Sequence, residues 1–385
     1  MKYLQPFNLM FFCCFFLCFS CQNNREQEVS YPLLKVSTKV TNTSFFDLFE
    51  KAELICLETT DSSLIKKVTK IEYWDNSYYI LDAELYSLFR FDETGKYWDR
   101  IAKVGNGPGE YLDICDFYLN KEKLRVDMLS PLSELYCYNL HTFSFEEKIS
   151  FSKLLKSCWY LVGWTNARYI TWSLPLYPEE CAVNVIVPEK DSVVASYHSN
   201  QEWVLQTYCH PFYRDSKDNP YYFKPFENEV YGFSEEGMEV VYAWDFGKEG
   251  INLTDYKFPN SSDENKNKKD FSDTFNAGEI SEAPFCFTRN NQTDRYYFSR
   301  LRFAHKIRKN LFYDKTTKDY MLFEKTTEGI SFSDPIYFTD EYMLFAVEPN
   351  NIEMLLPVLS DTEKQKADKI EESDNPILVK CYFKK

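Results

Sequence analysis

Glycine is scarce in this chain: 11 in 385 residues. A stretch where several of them gather is therefore a concentration to explain. Histidine is scarcer still, and His141, His198, His210 and His305 stand apart, with neither an H-E-x-x-H run nor Cys/His ligand spacing. Nothing in that pattern points to zinc. No Lys/Arg-rich tract interrupts a chain with 59 acidic and 44 basic residues and a formal charge of −15. Nucleic acid is not an expected partner, because phosphate-backbone binding needs a basic footprint. What the chain does have is apolar and aromatic content, 44% and 18%, ample for a large core.

The one long apolar run, Leu9 to Phe19, follows Lys2 and is too short to span a bilayer comfortably. It fits a secretory signal, and "LCFSC" at its end resembles a bacterial lipobox with Ser20 before Cys21. Residues 1–20 are thus expected to be a lipoprotein signal peptide, with lipidation at Cys21. Residues 21–32, "CQNNREQEVSYP", read as a tether between membrane and domain. Gln22 rather than Asp after the lipidated cysteine points to the outer membrane, without choosing between its periplasmic and outer faces.

Four of the 12 cysteines belong to the signal, and the other eight form no C-x-x-C pair. Isolated thiols on strands are expected, and Cys115 with Cys137 is the pair to inspect first for a disulfide.

A period runs beneath the composition. Apolar alternations ending in a polar turn recur as "SLFRFDETGK", "ELYCYNLHTF", "NVIVPEKDSV", "EVYGFSEEGM" and "NLFYDKTTKD". Aligned on the last apolar residue before each turn, Phe91, Tyr138, Val187, Phe233 and Tyr313 lie 47, 49, 46 and 80 residues apart. The long last interval contains a polar insertion at about 257–281. A repeat of that length with several strands per unit is expected of a β-propeller.

The fold expected is therefore all-β, a six-bladed β-propeller of four-stranded antiparallel blades filling residues 33–385. An N-terminal strand such as "ELICLE" would join the C-terminal blade and close the ring, and a short helix is expected within 350–373. Blade one parses as "KKVTKIEYW", a turn at Asp75 and Asn76, "SYYILD", "LYSLFRFD" and "KYWDRIAKV".

The glycines are concentrated in "KVGNGPGEYLD", residues 103–113. A dinucleotide fingerprint would need glycine where Glu110 stands, and a P-loop would need Gly-Lys-Ser/Thr. Pro108 also lacks the N–H that a phosphate nest uses. The cluster reads as a blade-to-blade crossover. "GNGPGEY", with "LETTDSSLIKKVTKIEYWDNSYYILD" before it and "NPILVKCYFK" at the end, resembles the six-bladed β-propeller lipoproteins of Bacteroidetes. The resemblance implies a lipid-anchored, outer-membrane-associated propeller and no particular activity.

No catalytic constellation stands out. "GFSEEG" has one residue too many to be a nucleophile elbow, and no carboxylate pair is marked among many. No cofactor is indicated; a Ca²⁺ ion held in the channel by Asp, Asn or Glu oxygens fits the composition, but no EF-hand-like loop supports it. Candidate binding residues come from position. Asp82, Glu84, Glu110 and Tyr111 are expected on one face near a channel mouth, with Tyr221, Tyr222, Arg300 and Arg302 offering stacking faces and cations. Trp159, Trp164 and Trp172 suggest a glycan platform, although blade packing itself consumes aromatics.

The leading expectation is a non-catalytic module that binds a ligand, glycan or envelope protein. The alternatives are a propeller hydrolase or lyase acting on a glycan or lactone, and a scaffold subunit of an outer-membrane complex.

Overall fold

The computed structural model describes residues 30–165, 167–175, 180–199, 210–250, 284, 286–303 and 307–385. The signal and lipidation readings on residues 1–29, and the insertion at 257–281, lie outside the described residues.

Period-2 alternation with short polar turns folds locally into hairpins, and the hairpins assemble into six sheets in chain order. Ahead of them lie β1 (Leu33–Lys35), the short helix α1 (Phe45–Leu48) and β2 (Phe49–Ile55). Blade 1 comprises β3 (Lys70–Trp74), β4 (Ser77–Asp82), β5 (Ser87–Asp92) and β6 (Tyr97–Ile101). Blade 2 comprises β7 (Asp116–Asn120), β8 (Arg125–Ser130), β9 (Glu134–Asn139) and β10 (Phe145–Ser150). Blade 3 follows with β11 (Tyr160–Trp164), β12 (Arg168–Trp172), β13 (Cys181–Val187) and β14 (Ser192–Ser199). Blade 4 contains β15 (Phe212–Arg214), β16 (Pro220–Phe223), β17 (Glu229–Ser234) and β18 (Gly237–Asp245). Blade 5 contains β19 (Cys286–Gln292), β20 (Tyr296–Arg302), β21 (Arg308–Asp314) and β22 (Tyr320–Phe323). Blade 6 has β23 (Tyr337–Phe338), β24 (Tyr342–Val347) and β25 (Ile377–Phe383).

The five aligned residues, Phe91, Tyr138, Val187, Phe233 and Tyr313, all fall in the third strands of their blades. The period therefore marks one structural unit. The tight β3–β4 turn places Asp75 and Asn76 at φ 49° and 53°, the left-handed pair that a two-residue hairpin requires.

Ring closure follows the expected route. β2 pairs antiparallel with β25, placing Leu54 opposite Val379, and supplies the outer strand of blade 6. A 3-10 segment (Pro349–Val358) and the helix α2 (Asp361–Ala367) cover that edge. From α2, the buried Glu363 accepts the Leu54 N–H (2.7 Å) and Lys366 donates to Leu54 O (3.1 Å). Those bonds satisfy backbone groups that an edge strand would otherwise expose. One feature had no counterpart in the repeat: β1 runs parallel to β18 and makes blade 4 five-stranded.

Each blade is apolar on both faces, and the core is a set of buried seams between neighbours. Tyr79 and Leu81 pack with Phe117 and Met128 between blades 1 and 2, whereas Tyr78 and Ile80 on the opposite face pack with Leu344 of blade 6. This is why β4 is buried at every position. Tyr138, Tyr222, Tyr242, Tyr296 and Trp244 are also fully buried. Much of the aromatic excess is therefore spent on packing.

The cysteines follow the same logic. Cys115 and Cys137, the pair singled out for a disulfide, are both free thiols. Cys115 Sγ donates to Leu129 O (3.5 Å), and burial pushes the Cys137 thiol up, reinforced by Asp127 beside it.

Candidate functional site

The first strands of the blades, β3, β7, β11, β15, β19 and β23, ring an axial cavity of about 170 Å³. Its wall runs from Thr69 to Tyr73 along β3, so it follows the channel rather than lying on one rim.

Near the start of the inner strands, charge is organised around Asp116, which is 1% exposed. Its Oδ1 accepts from Lys70 Nζ (2.8 Å) and from its neighbour's Phe117 N–H (2.8 Å). Its Oδ2 accepts from Leu161 N (2.8 Å) and from His210 Nε2 (2.9 Å). One carboxylate thus joins blades 1, 2 and 3 to the segment entering blade 4. Burial works to raise its pKa, but Lys70 and His210 outweigh that and bring Asp116 down to about 2. Burial lowers the pKa of His210 despite the attraction of Asp116, and Lys70 and Arg289 add to the lowering. Its Nδ1 lies 3.0 Å from Phe212 O and 3.3 Å from Phe212 N, so both ring nitrogens are engaged. Lys70 also donates to Phe117 O (2.6 Å) and lies 3.6 Å from Glu72.

Farther along the channel, Arg214 spans the seam between blades 3 and 4. Its guanidinium lies over the Tyr118 ring at 4.8 Å, donates to Gly163 O and bonds Asp218 Oδ1 (2.6 Å). Gly163 is the local reason this fits, because a Cβ there would collide with the Tyr118 ring. Lys121 lies 3.7 Å from Asp218. Asp215 caps its own turn, accepting from Lys217 N (3.0 Å) and Asn219 N (2.9 Å), and takes the Tyr221 hydroxyl (3.0 Å). Tyr337 lines the same wall, and burial raises its pKa to about 12.

Arg289 differs from its neighbours. The β19–β20 register shifts between Phe287 and Arg289, so a bulge precedes the arginine. Bulges redirect side chains, and this one precedes a residue that lines the cavity. Its buried Nε has no hydrogen-bond partner, and no ion pair to its guanidinium is found among the described residues. Also among the described residues, no three His, Cys, Asp or Glu side chains are grouped as a metal would need.

A family model described as a domain of unknown function, DUF4934, matches residues 32–382. The chain belongs to the DUF4934 family. Among curated proteins, none matches the chain in sequence. The DUF4934 propeller is similar to a Bacteroides fragilis protein described as a "putative exported protein", with TM-score 0.75 and 18% identity over 92% of this chain and 100% of the other. It is also similar to a member of the DUF4221 family from Bacteroides vulgatus, with TM-score 0.52 and 11% identity over 88% and 97%. At these identities the likeness is one of fold.

The residues singled out from the DUF4934 sequence fall in several places, and none of the eight lines the axial cavity. Asp82 is fully buried and accepts from the N–H groups of Lys66, Lys67, Glu84 and Leu85, fixing the loop after β4. Glu84 pairs with Lys66 (2.8 Å) at the surface. Tyr111 is fully buried, donating to Tyr86 O (2.7 Å) and accepting from Lys103 N (3.2 Å). Glu110 turns into its own loop, where Oε2 accepts from Gly107 N (2.8 Å) and its carboxylate occupies the space a Cβ would need at Gly105. Only Gly109 of that cluster has a positive φ, 75°.

Tyr221 stacks on Tyr213 at 4.9 Å, and Tyr222 is buried in the seam between blades 3 and 4. Arg300 is buried and held by Asp334 (2.7 Å), Asn310 Oδ1 (3.0 Å) and Phe332 O (2.7 Å). Arg302 ends β20 opposite Cys286 and Arg308. Of the three tryptophans, Trp172 is buried, Trp164 lies against Phe233 at 6.1 Å and Trp159 is exposed.

Sequence reading missed Lys70, Asp116, Arg214 and Arg289. For Lys70 and Asp116 the available signal was a charged residue at the head of a predicted inner strand, in "KIEYW" and "DFYLN".

Proposed function

We infer that this DUF4934 protein is a lipid-anchored binding module of the bacterial envelope that takes a small ligand in its central channel. The observation that carries this reading is the axial cavity itself, walled by both charged and aromatic side chains. The state of the charged groups supports binding over turnover. Lys70, Asp116 and His210 spend their hydrogen bonds on one another and on backbone, so His210 is not placed to act as a base at a nucleophile. The signal-like N-terminus with Cys21 supports an envelope location, as does the exported description of the similar Bacteroides fragilis protein.

The test is ligand-observed NMR on the full-length protein in detergent, with a fraction of bacterial metabolites and oligosaccharides. Asn291 lines the cavity, and Asn291→Trp fills it. Signals attenuated by the wild type and restored with the variant are expected. Attenuation that survives Asn291→Trp would move binding off the channel, and appearance of product signals would replace the module with an enzyme. A Cys21→Ala protein is expected to leave the membrane fraction and lose palmitate labelling. Retention of both would remove the lipid anchor.

A further inference from the structure

We propose that the channel ligand carries a single carboxylate on a ring, and that Arg289 is the residue that receives it. The inference rests on the reading of the channel as a binding site and specifies its chemistry.

Four cations line the cavity, Lys70, Lys121, Arg214 and Arg289, against three carboxylates, Glu72, Asp215 and Asp218. Most of these charges are already matched. Lys70 is held by Asp116 behind the wall and faces Glu72, while Arg214 and Lys121 share Asp218. Asp215 is bound by its own turn and by Tyr221. Arg289 is the cation with no acidic partner among the described residues, and its Nε is both buried and unbonded. A buried donor on a charged group is costly to leave unmade, and a planar guanidinium fork matches a carboxylate with two parallel bonds. Counting Asp116, four cations stand against four carboxylates, so the wall has no surplus of positive charge and its one unpaired guanidinium calls for a monoanion rather than a phosphate dianion.

The other walls supply the ring. Tyr118, Phe212, Tyr337 and Phe338 line the same cavity. A cavity of about 150 Å³ is enough to hold benzene, so about 170 Å³ accommodates one six-membered ring with its carboxylate.

Isothermal titration of the full-length protein compares benzoate with benzamide and glucuronate with glucose, with phenyl phosphate as the dianion. At least one acid is expected to bind ten times or more tightly than its neutral partner. Arg289→Gln is expected to remove that preference without lowering the melting temperature of the free protein, and Arg289→Lys to keep part of it. The proposal is overturned if neither acid is preferred, if the preference survives Arg289→Gln, or if phenyl phosphate binds more tightly than benzoate. Equal binding of acid and neutral partner, abolished by Asn291→Trp, would remove the carboxylate and leave channel binding standing. Binding unaffected by Asn291→Trp would remove the channel itself.

Discussion

Asp116 at the head of blade 2 and His210 at the entry to blade 4 are joined by a 2.9 Å hydrogen bond that spans blade 3, whose Leu161 N–H the same carboxylate oxygen accepts. The inner strands are held to one another by this junction as well as by apolar seams.

Removing the carboxylate should therefore cost more than one hydrogen bond. Asp116→Asn leaves the Lys70 ammonium, in a mostly buried position, with only the more distant Glu72 carboxylate at 3.6 Å. A loss of about 3 kcal/mol in unfolding free energy is expected. Urea denaturation followed by tryptophan fluorescence measures it, and Lys70→Met in the Asp116→Asn background is expected to recover part of the loss.

The same junction sets an acid limit. His210 has a folded pKa below its ordinary 6.5, so below that pH the unfolded chain binds a proton that the folded chain refuses. Stability should fall as pH drops below 6.5 towards the folded value. Asp116 titrates at about 2 when folded against 3.8 ordinarily, so its contribution is complete above 3.8 and is lost as pH falls through 2. That second loss is worth about 2 kcal/mol. Melting temperature against pH should show both limbs, and His210→Gln should flatten the upper one.

Gly163 is expected to resist even the smallest substitution. A methyl group there meets the Tyr118 ring, which carries Arg214 over its face. Gly163→Ala should cost about 2 kcal/mol by overpacking. Combined with Tyr118→Leu, the cost should be less than additive in thermal unfolding, because the clash is with that ring.

The crossover motif should behave as architecture. Tyr111→Phe strips a hydroxyl that bonds Tyr86 O and Lys103 N in a fully buried site, and about 1.5 kcal/mol of stability should be lost. Glu110→Gln keeps an acceptor for Gly107 N and should cost less. Calorimetry measures both, and neither variant should alter benzoate affinity, because neither residue lines the cavity.

The blades were legible because their information is local. Alternation followed by a polar turn is written within ten residues, and Phe91 and Tyr313 sit in equivalent strands although the insertion at about 257–281 interrupts the spacing. Closure by β2 was legible because a ring needs a partner for its last strand. The parallel β1 was not, since three residues, Leu33–Lys35, carry no periodic signal. The channel chemistry was hidden for a different reason. Asp116 and His210 are 94 positions apart, and Arg289 reaches the cavity through a bulge that no composition rule announces. Glu110 and Tyr111 drew attention as polar and aromatic residues at a crossover, yet one folds into its own loop and the other into a seam.

The most direct measurement is a crystal structure of the full-length protein grown with benzoate. The carboxylate is expected within 3.2 Å of the Arg289 guanidinium nitrogens, a direct hydrogen-bond distance, with the ring among Tyr118, Tyr337 and Phe338. Benzoate bound only outside the channel, with Arg289 still without an anionic partner, would contradict the account.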